Sequence, residues 1–379
     1  MTRHQPFPGM NLIQSLKMKL KIIIFILPVL PAIFSLWGCS GMGPVVLEQS
    51  RNNYNIAIQK TNDEQLLLNL VRLKYRDTPF FMEVSSVATQ FTFSASANAS
   101  ATLPEHSPNI FGLGAGAAMT ERPTISYSPL QGEKFIQRFL SPISLKTISL
   151  LFHSGWRVDR IFRVCFQHIN RIKNAPTASG PTPEFAPEYE DFAHIAGLLQ
   201  NLKSRGGLEA EYGIHENSPV FILHISEEAL EWPETGKLMK FFNLPLGTNR
   251  LVLSGHSKDK PPGFLRVETR SLLGAMFYLS QSIEVPLKDQ EMGKVTQTKD
   301  RSGKLFDWKK VTGDLIRVRS NSGFYDQSAV AVKYPGSWFY IDDSDLTSKS
   351  TFSMLGQIFS LQAGKSKSVV PVLTLPIGQ

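Results

Sequence analysis

The chain is predicted to be an α+β protein, because its hydrophobic residues recur at two different periods in separate blocks. From Arg51 to Tyr75 they fall at helical spacing. From Phe91 to Met119 they alternate with small residues, and after Pro187 helical and strand-like blocks follow one another closely. With 42% hydrophobic residues in 379, the chain can bury a substantial core and reads as folded.

Residues 1–38 read as an address. Arg3, Lys17, Lys19 and Lys21 precede an uncharged run from Ile22 to Trp37 that ends in Leu36-Trp37-Gly38-Cys39-Ser40. A basic stretch, a short apolar stretch and a small residue at the cut are the parts of a secretory signal. The run is about 16 residues and holds Pro28 and Pro31, short of the roughly 20 that span a bilayer as a helix. Translation from Met18 would give a compact signal, MKLKIIIFILPVLPAIFSLWGC, so Met18 is the expected start.

Leu36, Gly38 and Cys39 in this arrangement resemble the lipobox of bacterial lipoproteins, with Trp37 bulkier than the residue usual at its place. The resemblance implies that the signal is removed before Cys39, that lipid on Cys39 makes a membrane the first partner, and that Ser40 permits export to the outer membrane, facing the periplasm. An inner-membrane location is the alternative.

A tether over 39–50 is expected next, then the helix from Arg51, with Leu66, Leu67, Leu70, Val71 and Leu73 near one side. Thr61 or Asn62 is a candidate cap for a second helix, with Asp63, Glu64 and Gln65 in its first turn. Arg72, Lys74 and Arg76 suit its C-terminal end, and Pro79 forbids continuation.

Phe91, Phe93, Ala95, Ala97, Ala99, Ala101 and Leu103 alternate with Thr92, Ser94, Ser96, Asn98, Ser100 and Thr102. After Pro104-Glu105-His106-Ser107-Pro108, Phe111, Leu113, Ala115, Ala117 and Met119 alternate with Gly112, Gly114, Gly116, Ala118 and Thr120. This predicts a β-hairpin over 89–127 folded about His106 to Ser107, with Leu103 opposite Phe111 and Ala97 opposite Ala117. One apolar face and one small polar face is also the pattern of transmembrane strands. A single hairpin cannot cross a membrane with its edges unpaired, so spanning requires several subunits to share a barrel. A soluble hairpin against its own domain or a partner, and a low-complexity loop, are the competing readings.

Residues 129–174 are read as two or three helices broken at Pro142 and Gly155, with Arg157, Arg160, Arg163, Arg171 and Lys173 on a solvated face. The Pro-rich stretch 175–187 is the expected linker. An α+β domain over 188–285 follows, with helices at 188–203, 227–242 and 271–282 and strands at 220–225, 250–253 and 264–268. Residues 286–307 are read as a loop. Residues 308–379 are expected to supply a strand at 315–319, a hairpin over 329–341 turning at Tyr334-Pro335-Gly336-Ser337, a helix at 344–361 and a last strand in VVPVLTLP.

The net charge of +8 falls to +4 without the four basic residues before Cys39, which removes the main support for nucleic-acid binding. No GxSxG elbow, HExxH, zinc-spaced cysteine pair, phosphate-binding glycine loop or EF-hand loop is present, so no motif implies a cofactor or a reaction. Cys165 lies in RIFRVCFQHI and is read as a buried small hydrophobe. His153 and His215-Glu216 are explained by core and surface positions. Asp342, Asp343 and Asp345 are the one candidate cation cluster, with helix capping as the simpler account, and Trp338, Phe339 and Tyr340 are read as core.

YNIAIQKTNDEQLLLNLVRLKYRDTPFF, RPTISYSPLQGEKF, YPGSWFYIDDSDLTSKSTF and PVLTLP are similar to segments of a family of uncharacterised bacterial lipoproteins, which implies an envelope protein and no known activity. The expected role is that of a structural or assembly component. It would self-associate, or join other envelope proteins, through Phe91, Phe93, Leu103, Phe111, Leu113 and Met119. The alternative is a lipid-tethered periplasmic enzyme or small-ligand binder with its pocket after Pro187.

Overall fold

The computed structural model describes residues 42–102, 110–181, 184–255 and 261–363. The signal residues, Leu36, Gly38, Cys39, Leu103, the turn at His106 and the strand in VVPVLTLP lie outside them. The chain divides into two units, Met1–Thr61 and Asn62–Gln379, and the packing described below is within the second.

Helix α1 (Met42–Lys74) begins earlier than expected, so the expected tether is helical from Met42 onward. It also runs through the expected break at Thr61. The Thr61 hydroxyl donates within the helix to the carbonyls of Ala57 and Ile58, both at 3.0 Å, so it caps nothing. The helix ends where Arg76 adopts a left-handed φ of 65°, its amide bonding Leu73 O while the Asp77 amide bonds Arg72 O, the paired bonds of a Schellman ending.

Strands β1 (Met82–Thr102) and β2 (Ile110–Pro129) form a two-stranded antiparallel ribbon that no other strand among the described residues joins. Helices α2 (Glu133–Leu140), α3 (Leu145–His153) and α4 (Val158–Cys165) follow. The helical reading fails after Cys165, where β3 (Phe166–Ile169) and β4 (Ile172–Lys173) make a short hairpin. The first residues of the expected linker are packed: a 3-10 turn, Pro176–Ser179, carries the fully buried Ala178, and Ser179 lies close against Gly274, while Glu184 and Phe185 are exposed. Small side chains let this Pro-rich segment sit against the core.

Helix α5 (Glu190–Ser204), strands β5 (Leu208–His215) and β6 (Ser218–Ile225), helices α6 (Glu227–Leu230) and α7 (Pro233–Phe242), strands β7 (Arg250–Ser254) and β8 (Phe264–Thr269) and helix α8 (Leu272–Ser280) complete the α+β body. The expected single helix 227–242 breaks at Pro233, which opens α7 where a missing amide hydrogen costs nothing. The six strands order as β4-β3-β8-β7-β6-β5, with only β7 and β8 parallel. Phe221, Leu223 and Ile225 of β6 enter the main core, while Val220 and Ile222 turn to the other face against Val252 and Phe264.

The expected loop over 286–307 contains α9 (Leu287–Glu291) and precedes α10 (Lys309–Thr312). Strand β9 (Arg319–Asn321) joins the hairpin of β10 (Ser328–Tyr334) and β11 (Ser337–Asp342) in a three-stranded sheet. Its turn is at Pro335-Gly336, as expected, with Gly336 at φ 111°. Helix α11 (Leu346–Ala363) closes the described chain. One apolar core extends from Leu66 to Ile358, on both sides of the expected linker.

Candidate functional site

The ribbon is paired without interruption from Ser86↔Ser126 to Thr102↔Ile110, above a single irregularity between Val84 and Ser86. Strands of 21 and 20 residues at about 3.4 Å per residue make it roughly 70 Å long. The register differs from the expected one by two residues: Ala97 faces Ala115 and Ala101 faces Phe111. An even shift leaves every register position on its predicted face.

Phe91, Phe93, Ala95, Ala97, Ala99, Ala101, Phe111, Leu113, Ala115, Ala117 and Met119 therefore share one face. The opposite face carries Thr92, Ser94, Ser96, Asn98, Ser100, Thr102, Ile110, Gly112, Gly114, Gly116, Ala118 and Thr120, of which Thr92, Ser94, Ser96, Asn98, Gly116, Ala118 and Thr120 are exposed. Charge divides the ribbon along its length. Glu83, Glu121 and Arg122 are in the foot, whereas Thr92–Thr102 and Ile110–Thr120 contain no ionisable residue.

The foot is held by two carboxamides one helical turn apart on α1. Gln65 Nε2 donates to Met82 O at 2.9 Å while its oxygen accepts the Met82 amide at 2.6 Å. Asn69, fully buried, does the same for Phe80, with both bonds at 2.8 Å. Spacing of four on a helix thus meets spacing of two on a strand, and two side-chain amides act as the first rungs of a ladder. Leu130 closes the other side by donating to Phe81 O at 2.9 Å, and the Phe81 ring packs on Phe135, Phe139 and Phe359. Gln65 reads in the sequence as a first-turn residue and Asn69 was missed. Its signal is the lone polar residue inside LLLNLV.

The other candidates have separate places. Asp342 accepts from the amide and hydroxyl of Ser344, Asp343 pairs with Lys349 at 2.5 Å, and Asp345 accepts the Ser348 amide at 3.0 Å as an N-cap of α11. Three carboxylates that point to three partners do not form a common cation cage, and among the described residues no group of three metal-ligating side chains is assembled. Cys165 is fully buried, and burial pushes its thiol up to about 12. His153 is exposed, and His215 Nε2 lies 3.7 Å from Glu216. Phe339 and Tyr340 are buried and Trp338 partly so.

The expected solvated basic face is corrected at two of its five residues, Arg171 and Lys173 being exposed as expected. Arg160 and Arg163 are buried, and Arg163 makes two bonds to Asp314, at 2.6 and 2.7 Å, and one to Val311 O. Arg157 remains outside, paired with Asp159. A bidentate partner distant in sequence lets guanidinium enter the core, and neighbours in sequence do not reveal it.

Among the described residues no helix is long and apolar enough to cross a membrane. A scan against protein-family models, a search of curated proteins and a search of solved structures each found no match to this chain.

Proposed function

We propose that this chain is a bacterial envelope lipoprotein, anchored through Cys39, that assembles with copies of itself through the upper half of the ribbon. The observation that carries the reading is a long paired stretch without charge. Residues 92–102 and 110–120 are register partners throughout and hold no ionisable residue, and on β1 the charge-free run starts already at Val84. A tilted transmembrane strand needs about 9–11 residues.

Both outer edges of this hairpin offer backbone donors and acceptors that water can satisfy and hydrocarbon cannot. Neighbouring hairpins would pair with them, closing a shared barrel with the Ala, Phe, Leu and Met face outward and the Ser, Thr, Asn and Gly face lining the interior. The clamp at Gln65 and Asn69 would transmit the ribbon's direction to the body.

Two experiments test the reading. Cys39→Ser should abolish incorporation of a labelled fatty acid, and label that persists would end the lipoprotein assignment. In isolated membranes, a polar maleimide should modify Asn98→Cys readily and Ala97→Cys hardly at all. Equal modification of these neighbours would overturn insertion, because a ribbon in water exposes both faces.

A further inference from the structure

Lys74, the last residue of α1, reaches a cleft of about 260 Å³ whose lining includes Gln281, Val295, Thr298, Phe306 and Trp308. Its ammonium donates to Gln281 Oε1 at 3.2 Å, the one acceptor it has among the described residues. Three donor positions need more than that, and the local carboxylates are engaged elsewhere. Glu284 pairs with Lys309 at 3.0 Å, and Asp307 accepts the Lys309 amide at 3.0 Å.

Helix ends explain why a cation is tolerated here without supplying its missing partners. Lys74 is the last residue of α1 and its partner Gln281 is the C-cap of α8, so the ammonium and its acceptor both belong to helix C-terminal ends, where partial negative charge favours a cation. The last carbonyls of α1 are already occupied: Val71, Leu73 and Arg72 accept the amides of Tyr75, Arg76 and Asp77. Burial pulls Lys74 down to about 8, and no neighbouring carboxylate offsets it. The remaining ammonium protons are left to the cleft.

The opposite wall is apolar and fixed. Val295 and Trp308 are 8% and 9% exposed, and the indole is locked by its bond to Thr298 Oγ1 at 2.9 Å. Phe306 stands edge-on to Trp308 with ring centroids 5.4 Å apart. The lining holds two ammonium groups, and since Lys309 is paired with Glu284, Lys74 is the one without a carboxylate partner among the described residues. One such ammonium beside aromatic rings, with no arginine in the lining, suits one carboxylate on an apolar body better than a phosphate.

We propose that this cleft is a binding site for a small amphipathic carboxylic acid, whose carboxylate pairs with Lys74 and whose apolar part lies against Phe306 and Trp308. The site is independent of the ribbon and of the lipid. Hexanoate and benzoate are suitable probes, with hexanol, acetate and inorganic phosphate as controls. Calorimetry on the full chain should show saturable binding of the two acids, weakened at least about tenfold by Lys74→Met and little changed by Lys333→Met, an exposed lysine outside the cleft. Lys74 in the unaltered protein should be protected by hexanoate from reductive methylation, read by mass spectrometry, and hexanol should not protect it. This second measurement decides the matter if Lys74→Met does not fold. No saturable binding, binding indifferent to Lys74, or phosphate binding as tightly as hexanoate would overturn the proposal.

Discussion

Strand β6 and the ribbon strands alternate with the same period, yet the alternation has opposite consequences. In β6, Phe221 and Leu223 face one apolar layer while Val220 and Ile222 face another, and all four are buried. In the ribbon, one face is Ser, Thr, Asn and Gly and is exposed wherever its side chains are described, and the other is mostly Ala. The difference lies in side-chain size. A buried Val, Leu or Phe contributes about 1.5–3 kcal/mol, enough to draw a strand onto a body, whereas an alanine methyl contributes under about 1 kcal/mol. The body is held by burial, and the ribbon by its ladder and its foot.

Substitutions in the two regions should therefore separate stability from assembly. The largest effect is expected for Phe221→Ala, which removes a fully buried ring: a loss of about 3–5 kcal/mol in urea unfolding. A loss below about 1 kcal/mol would mean that the sheet is not packed as described.

Asn69→Leu should cost about 1–2 kcal/mol, because the part-buried amide and carbonyl of Phe80 would lose their partners. Hydrogen exchange at the Phe80 and Met82 amides should accelerate while the amides of β6 stay protected. Acceleration throughout the sheet would show that the clamp belongs to the core and not to the foot.

A smaller effect concerns acid. Asp289 is held below the usual carboxylate range by Lys294, at 2.6 Å, and by the Tyr75 hydroxyl, at 2.7 Å. A depressed folded-state value adds stability above the unfolded value near 4, and that stability is lost as pH falls through the folded value. Asp289→Asn should thus flatten the decline in stability below about pH 4, and an unchanged acid profile would remove Asp289 from the account. The smallest effect on stability belongs to Ala97→Asp, within about 0.5 kcal/mol for the body. The same variant should fail to assemble.

What was legible in the sequence follows from the same contrast. The two faces of the ribbon could be read because strict alternation in small residues admits few other meanings, and the Pro335-Gly336 turn because its backbone demands are local. The packed turn at Pro176–Ser179 and the buried Arg163 could not, since each depends on a contact distant in sequence: Ser179 receives Arg270 Nε at 2.9 Å, and Asp314 receives Arg163. Arg270 is the extreme case, fully buried and held by the carbonyls of Arg163, Phe166 and Asn174 with Tyr278 stacked below. The register was misread by two residues because alternation fixes parity and not the turn.

The central claim is that the ribbon, and not the body, joins subunits. Phe91 and Glu121 are register partners, so residues 92–120 can be replaced by an Asn-Gly turn without disturbing the foot. Light scattering on the lipidated protein in detergent should give the intact chain a mass several times that of one subunit and the shortened chain the mass of one. A shortened chain that keeps the assembled mass, or an intact chain that is already a monomer, would contradict the account.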